Sequence, residues 1–245
     1  MEKVEEFDKL IERMSICEKC INIKNKNGMD CSLINIYKNK AFSKNIPSIW
    51  TDWYNRLDSN IMIIGQDWGP YNDMNKFYNE YIKEKTEANW KRIIEQEKSM
   101  TKKMLERYLV QSAENNNINI DKNILDKIYI TNAIMCARKG ENYRGNNIRL
   151  KESTFNCKDF IKEQIDIVKP KIILTLGYYP LYSLSKIYGF DIEKNLTQTI
   201  KNYEEFELDN YVIIPLYHPT AQISKEKQLE QYNKIWRQND LFKDI

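Results

Sequence analysis

The 245-residue chain contains one histidine, at position 218. Any chemistry that needs an imidazole, whether as proton carrier or as neutral hydrogen-bond donor, has this single candidate. The residue follows the apolar run 211–216 and is itself followed by Pro219 and Thr220. Five cysteines form a second group: Cys17 and Cys20 in CxxC spacing, then Cys31, Cys136 and Cys157. Thiols in such a pattern suit metal binding or catalysis better than disulfides, although each is also a passable small core residue. A carboxylate, Asp67, comes directly after the run 61–64 and Gly65-Gln66. An amide, Asn132, sits within the run 128–134. Asp67 and Asn132 each have a plainer use as the cap of a turn.

These residues gain meaning from the elements that carry them. Runs 61–64, 128–134, 171–177 and 211–216 are short and almost wholly apolar. That is the pattern of parallel strands buried on both faces. Helical stretches are predicted at 2–16, 75–113, 153–168, 180–188 and 222–243, the third of them being ended by Lys169-Pro170 as a stop. In the first of them Val4, Phe7, Leu10, Ile11 and Met14 fall at helical spacing. Residues 21–48 are polar and irregular. Strands alternating with helices predict an α/β fold: a three-layer α/β/α arrangement around a mainly parallel, four-stranded central sheet. Ligands of such sheets bind beyond the carboxyl ends of the strands, where Gln66-Asp67, Asn132 and His218 all fall.

Composition limits the alternatives. Gly (7) and Pro (6) are few, so collagen-like and low-complexity readings fail. With 38 basic against 35 acidic residues the net charge is +3, too small by itself to demand a nucleic-acid partner. A local excess of base does exist: Arg138, Lys139, Arg144, Arg149 and Lys151 face only Glu141 between 138 and 151. No apolar run reaches the roughly 18 residues of a membrane span. The charged, helical start is unlike a signal peptide, so a cytoplasmic, monomeric protein without membrane contact is expected.

Gly65-Gln66-Asp67-Trp68-Gly69, Thr131-Asn132 and His218-Pro219-Thr220, taken with Cys17, Cys20, Cys136 and Cys157, resemble the uracil-DNA glycosylase superfamily. The resemblance is closest to its iron–sulfur-containing family 4 type, and it covers the chain from about residue 17 to the last helix. It implies a single glycosylase-like domain over 1–245, with a helical insertion at about 75–113. It implies that Cys17, Cys20, Cys136 and Cys157 hold a [4Fe–4S] cluster, zinc being the other metal that takes four thiolates. Cys31 has no counterpart in the family.

By the same resemblance the activity is excision of uracil or another non-canonical pyrimidine flipped out of DNA, as in base-excision repair. Asp67 would stabilise the sugar cation and His218 the departing base. Asn132 would pair with the pyrimidine edge, since its amide offers one donor and one acceptor. Gly65, Gln66 and Trp68 would line the pocket, with Trp68, Tyr71, Phe77 or Tyr78 as the aromatic stacked on the base. Arg138, Lys139, Arg144, Arg149 and Thr220 would contact DNA. The motif departs from the family 4 pattern at two places. Gln66 stands where that pattern has Glu, and Trp68 where it has Pro. Some relatives excise bulky modified pyrimidines of phage DNA, which adds an antiviral reading. Loss of excision with DNA binding retained is a further alternative.

Overall fold

The computed structural model describes residues 2–24, 27–28, 30–38, 53–84, 86, 89, 99–120, 123–139 and 150–237. Along the chain come α1 (Glu2–Ser15), β1 (Leu33–Ile34), β2 (Ile61–Gly65), α2 (Tyr71–Lys83), α3 (Met100–Asn115), β3 (Tyr129–Asn132) and β4 (Ala137–Arg138). They are followed by α4 (Leu150–Val168), β5 (Ile172–Leu176), α5 (Tyr178–Tyr188), α6 (Leu196–Asn202), β6 (Phe206–Leu208), β7 (Tyr211–Leu216) and α7 (Lys225–Asn233).

The central sheet has the order β3-β2-β5-β7-β6. Its first four strands are parallel, and β6 pairs antiparallel with β7 at the edge. The sheet is therefore five-stranded where four strands were expected. The added strand is only Phe206–Leu208, too short to show an apolar period. Pro215 sits inside β7, yet β6 is paired with 211–213 alone. At Pro215 the strand has already run past β6, so the missing N–H breaks no bond on that side.

Successive strand residues feed two cores, as the two-residue period of a strand requires. Met62, Ile64, Tyr129, Ile173 and Ile213 join Phe7, Leu10, Met14, Ile161, Ile165, Leu181 and Leu184 on one face. Ile61, Ile63, Ile130, Leu174 and Ile214 join Leu105, Leu109, Tyr232, Ile235 and Trp236 on the other. The result is the three-layer α/β/α sandwich. In α1, Phe7, Leu10 and Met14 are buried as the spacing predicts, whereas Val4 is 41% exposed.

Of the predicted helical stretch 75–113, residues 85, 87–88 and 90–98 lie outside the described residues. α2 ends at Lys83, and α3 starts at Met100 with Ser99 as its cap, accepting from Lys102 N. α3 is built into the second core and is fastened there by Trp236 Nε1 donating to Ser112 Oγ at 2.7 Å. A separate two-stranded ribbon joins β1 to β4, antiparallel, with Leu33 opposite Arg138. It rises from a polar stretch that carried no strand signal. No helix of the described residues is long and apolar enough to cross a membrane.

Candidate functional site

Because β2, β3, β5 and β7 are parallel, their carboxyl ends share one edge of the sheet. Gly65 and Asn132 are cross-strand partners there. A Cβ at position 65 would stand 2.4 Å from Asn132 Oδ1, far inside contact distance. The glycine is thus required by the amide above it. The chain continues alongside, with Ala133 N donating to Gly65 O at 2.8 Å and Ile134 N to Gln66 O at 2.9 Å.

Asp67 follows, its side chain only 4% exposed. Its Oδ1 accepts from Gly69 N at 2.8 Å and from Arg138 Nε at 3.1 Å, with Arg138 Nη2 at 3.0 Å. Its Oδ2 accepts from the Gln66 amide at 2.8 Å. Asp67 is both a turn cap and half of a buried ion pair. Arg138 reaches it because β4 is tied to the same turn: Arg138 N donates to Gly69 O at 2.9 Å, and Pro70 bridges to Arg138. The arginine is 16% exposed and points inward, away from the role of surface phosphate contact expected for it.

His218 lies just past the end of β7, at the same edge. Its Nδ1 is 3.0 Å from Thr220 Oγ1 and receives the backbone N–H of Thr220 at 3.3 Å. A backbone N–H can only donate, so Nδ1 is an acceptor and the proton sits on Nε2. Gln228 Nε2 and Ala221 N donate to the His218 carbonyl at 2.9 and 2.8 Å and fix the turn. Burial lowers the imidazole pKa below its ordinary value, and the charge of Asp67 acts on it in the opposite sense. The carboxylate and the imidazole therefore share one electrostatic environment.

The remaining candidates are placed as follows. Trp68 is turned toward the first core, its ring 5.6 Å from that of Trp53. Tyr71 opens α2 and is partly buried against the same core. Phe77 falls on α2 with its side chain outside the described part, as does that of Tyr78. Lys139 is exposed and paired with Asp30 at 2.9 Å. Thr220 faces His218. Arg144 and Arg149 lie outside the described residues.

The thiols come together in a small core under the ribbon, where Cys20, Cys31 and Cys136 are buried with Ile23, Leu33 and Ile134. Cys157 of α4 hydrogen-bonds with Cys20, which pulls the Cys20 thiol down to about 6 and pushes Cys157 well up. Burial first, then Cys20 and Cys17, push Cys136 up to about 12. Two N–H groups point at sulfur: Met135 N at 3.5 Å from Cys157 Sγ and Asn156 Nδ2 at 3.6 Å from Cys20 Sγ. Among the described residues no three His, Cys, Asp or Glu side chains are gathered around the position of a single metal ion.

Two further features complete the frame of the site, and only the first gave no recognisable signal in the sequence. Gln228, ten residues beyond His218, holds its turn, and a glutamine on a charged helix looks like surface. Gly177 ends β5 between the two halves of the site, with φ of 101° and its N–H on Leu216 O at 2.9 Å. Its strand-then-glycine pattern matches that of Gly65 and was open to reading.

Comparison with known proteins agrees with this geometry. The family model for the uracil DNA glycosylase superfamily matches residues 51–239. The Type-4 uracil-DNA glycosylase of Archaeoglobus fulgidus is 22% identical over 116 residues, 46% of this chain and 54% of that protein. That of Sulfurisphaera tokodaii is 31% identical over 99 residues, 39% of this chain and 42% of the relative. The matches thus span about half the length of these curated relatives. A match over residues 51–239, on a parallel sheet whose edge gathers Gly65, Asp67, Asn132 and His218, shows that the chain belongs to the uracil DNA glycosylase superfamily.

Proposed function

We propose that the protein is a monofunctional DNA glycosylase that hydrolyses the bond between deoxyribose and a flipped-out pyrimidine, with uracil as the first substrate to test. One observation carries the reading. His218 accepts at Nδ1 and so presents Nε2–H at the edge where Asp67 and Asn132 also lie. A neutral N–H there stabilises negative charge developing on the base without having to give up a proton.

In this mechanism the target base leaves the stack, which for a non-canonical base is less costly than for a matched one. It enters beside Asn132, whose amide pairs with the pyrimidine edge. The bond from C1′ to N1 breaks, and the electron pair leaves with the base. His218 Nε2–H donates to O2 of that anion. Asp67 lies against the sugar cation, and water adds its oxygen to C1′ and releases one proton to solvent, leaving an abasic site. The base takes up a proton from solvent. Asn132 keeps its position because Gly65 leaves room beneath it.

The four thiols Cys17, Cys20, Cys136 and Cys157 would hold a [4Fe–4S] cluster. Their chemistry supports it: Cys20 hydrogen-bonds with Cys157, Cys20 and Cys17 act on Cys136, and N–H groups are directed at two of the sulfurs. Zinc, which also takes four thiolates, is the other candidate for the same sulfurs. When bound, the cluster supplies a structural tie between the N-terminal segment and α4.

A second reading, DNA binding without excision, draws on Asp67. Its carboxylate already satisfies Arg138, Gly69 and Gln66, which weakens it as a cation stabiliser. The test is base release from oligonucleotides carrying uracil, hypoxanthine, hydroxymethylcytosine or glucosylated cytosine, in single and double strands. Release of uracil supports the leading reading. Release of the modified cytosines alone moves the substrate to the bulky bases of phage DNA and supports an antiviral role. Tight binding with no release from any of them overturns the enzyme assignment.

A further inference from the structure

The site edge continues onto a surface that the mechanism leaves unused. Gly177 is bonded to Leu216 O, so the first turn of α5 abuts the segment that leads into His218. Three tyrosines stand there, all half-buried: Tyr178, Tyr179 and Tyr182. The Tyr178 and Tyr182 rings are stacked, with centroids 6.2 Å apart and planes 21° from parallel. Tyr179 meets Tyr178 edge-on at 5.7 Å. Two lysines from different helices lie over the Tyr182 ring. Lys151 of α4 is 5.7 Å and Lys186 of α5 is 5.3 Å from its centroid. Both lysines are exposed, and neither has an ion-pair partner among the described residues.

Half-buried rings flanked by exposed cations, at the rim of a site, have a specific chemical complement. Nucleobases stack on aromatic faces whatever their sequence, and their phosphates need positive charge. In a duplex the base faces are hidden between neighbours, so only unpaired bases can use such rings. The spacing is also suitable. Positions 178, 182 and 186 lie along one side of α5, and eight residues of helix extend for about 12 Å. With a rise of about 3.4 Å per nucleotide of one strand, this strip serves roughly three nucleotides.

We propose that Tyr178 and Tyr182, with Lys151 and Lys186, form a stacking platform for unpaired nucleotides flanking the target base, so that the protein engages single-stranded DNA beyond its pocket. The inference rests on the glycosylase reading for the position of the target, but its binding readout does not require excision. Tyr178 would take the first base outside the pocket and Tyr182 the next. The lysines would follow the phosphates.

The experiment measures fluorescence anisotropy of a uracil-free single-stranded oligonucleotide and of its duplex. Excision of uracil in both forms is followed in parallel. The parent is compared with the double variant Tyr178→Ala/Tyr182→Ala, with Tyr178→Phe/Tyr182→Phe and with Lys151→Gln/Lys186→Gln. Losing one stacked base weakens binding by roughly 5- to 150-fold. The alanine variant is therefore expected to lose at least about 5-fold in single-strand affinity, with much less change for the duplex. The phenylalanine variant is expected to match the parent, because stacking needs the ring and not the hydroxyl. The lysine variant should flatten the salt dependence of single-strand binding by about two phosphate contacts. Equal single-strand binding by parent and alanine variant, with both folded by circular dichroism, overturns the platform even if uracil is excised. Selective loss of single-strand binding without excision by the parent keeps the platform and removes the glycosylase reading. If the alanine variant does not fold, the lysine pair decides alone: an unchanged salt slope overturns the proposal.

Discussion

Asp67, besides its neighbours Gln66 and Gly69, is held by a charged side chain 71 positions away in the sequence, whereas His218 is held by groups two and ten positions away alone among the bonds described above. The carboxylate side of the site is therefore a tertiary construction. Arg138 can reach Asp67 only while β4 lies along the turn after β2, and β4 in turn pairs with β1 next to the thiol core. The imidazole side is a local one. Its tautomer is set by the Thr220 backbone and its carbonyl by the next helix. Damage to the cysteine region should reach Asp67 through two intervening contacts and should leave the orientation of His218 intact.

The sharpest test of that asymmetry is the loss of each holding group. His218→Ala removes the donor to the leaving base, and its expected cost is on the order of 100- to 1000-fold in excision rate. Because the turn around it is fixed by backbone groups, thermal denaturation should hardly change. Arg138→Ala should do the reverse in emphasis. It leaves a carboxylate that is 4% exposed without its cation, which typically destabilises by about 3 kcal/mol. For a chain of this length that corresponds to a fall of roughly 6–12 °C in Tm. An Arg138→Ala protein as stable as the parent would show that the pair is not the fastening described above.

A smaller and more selective effect is expected from Gly65→Ala. The new methyl meets the free end of the Asn132 side chain, which can rotate away, so the strand should survive. What is lost is the position of the amide that pairs with the base. A rise in KM with a retained melting temperature is the expected result. An unchanged KM would separate Asn132 from base recognition.

The same distinction between near and far contacts explains what the sequence disclosed. β2, β3, β5 and β7 were readable because strands buried on both faces become continuous apolar runs, as Ile61–Gly65 illustrates. Their shared edge follows from parallel topology, which brings Asp67, Asn132 and His218 into one neighbourhood. The two-residue strands of the ribbon and the three-residue β6 are too short to carry a period. Charge along the sequence places Arg138 with the basic residues that follow it and cannot reveal which member turns inward. Pro70 and Gly69, which turn it, lie some seventy positions away and look like an ordinary loop. The motif position of Trp68 points to the pocket wall, and the Trp53 ring gives it an apolar partner in the core.

The finest test concerns how the two halves act on one another. Burial lowers the pKa of His218, and the Asp67 charge opposes that shift. The imidazole acts here in its neutral form, so excision should be lost as pH falls through this lowered value. Asp67→Asn removes the one influence that raises it. The acid limb of the rate profile should then move to lower pH, independently of any drop in the plateau rate. Arg138→Ala should move the limb the opposite way, because it unmasks the Asp67 charge and so favours the imidazolium. Limbs that stay together in both variants would mean that carboxylate and imidazole act as separate groups, and that the two halves of the site are joined only by the sheet beneath them.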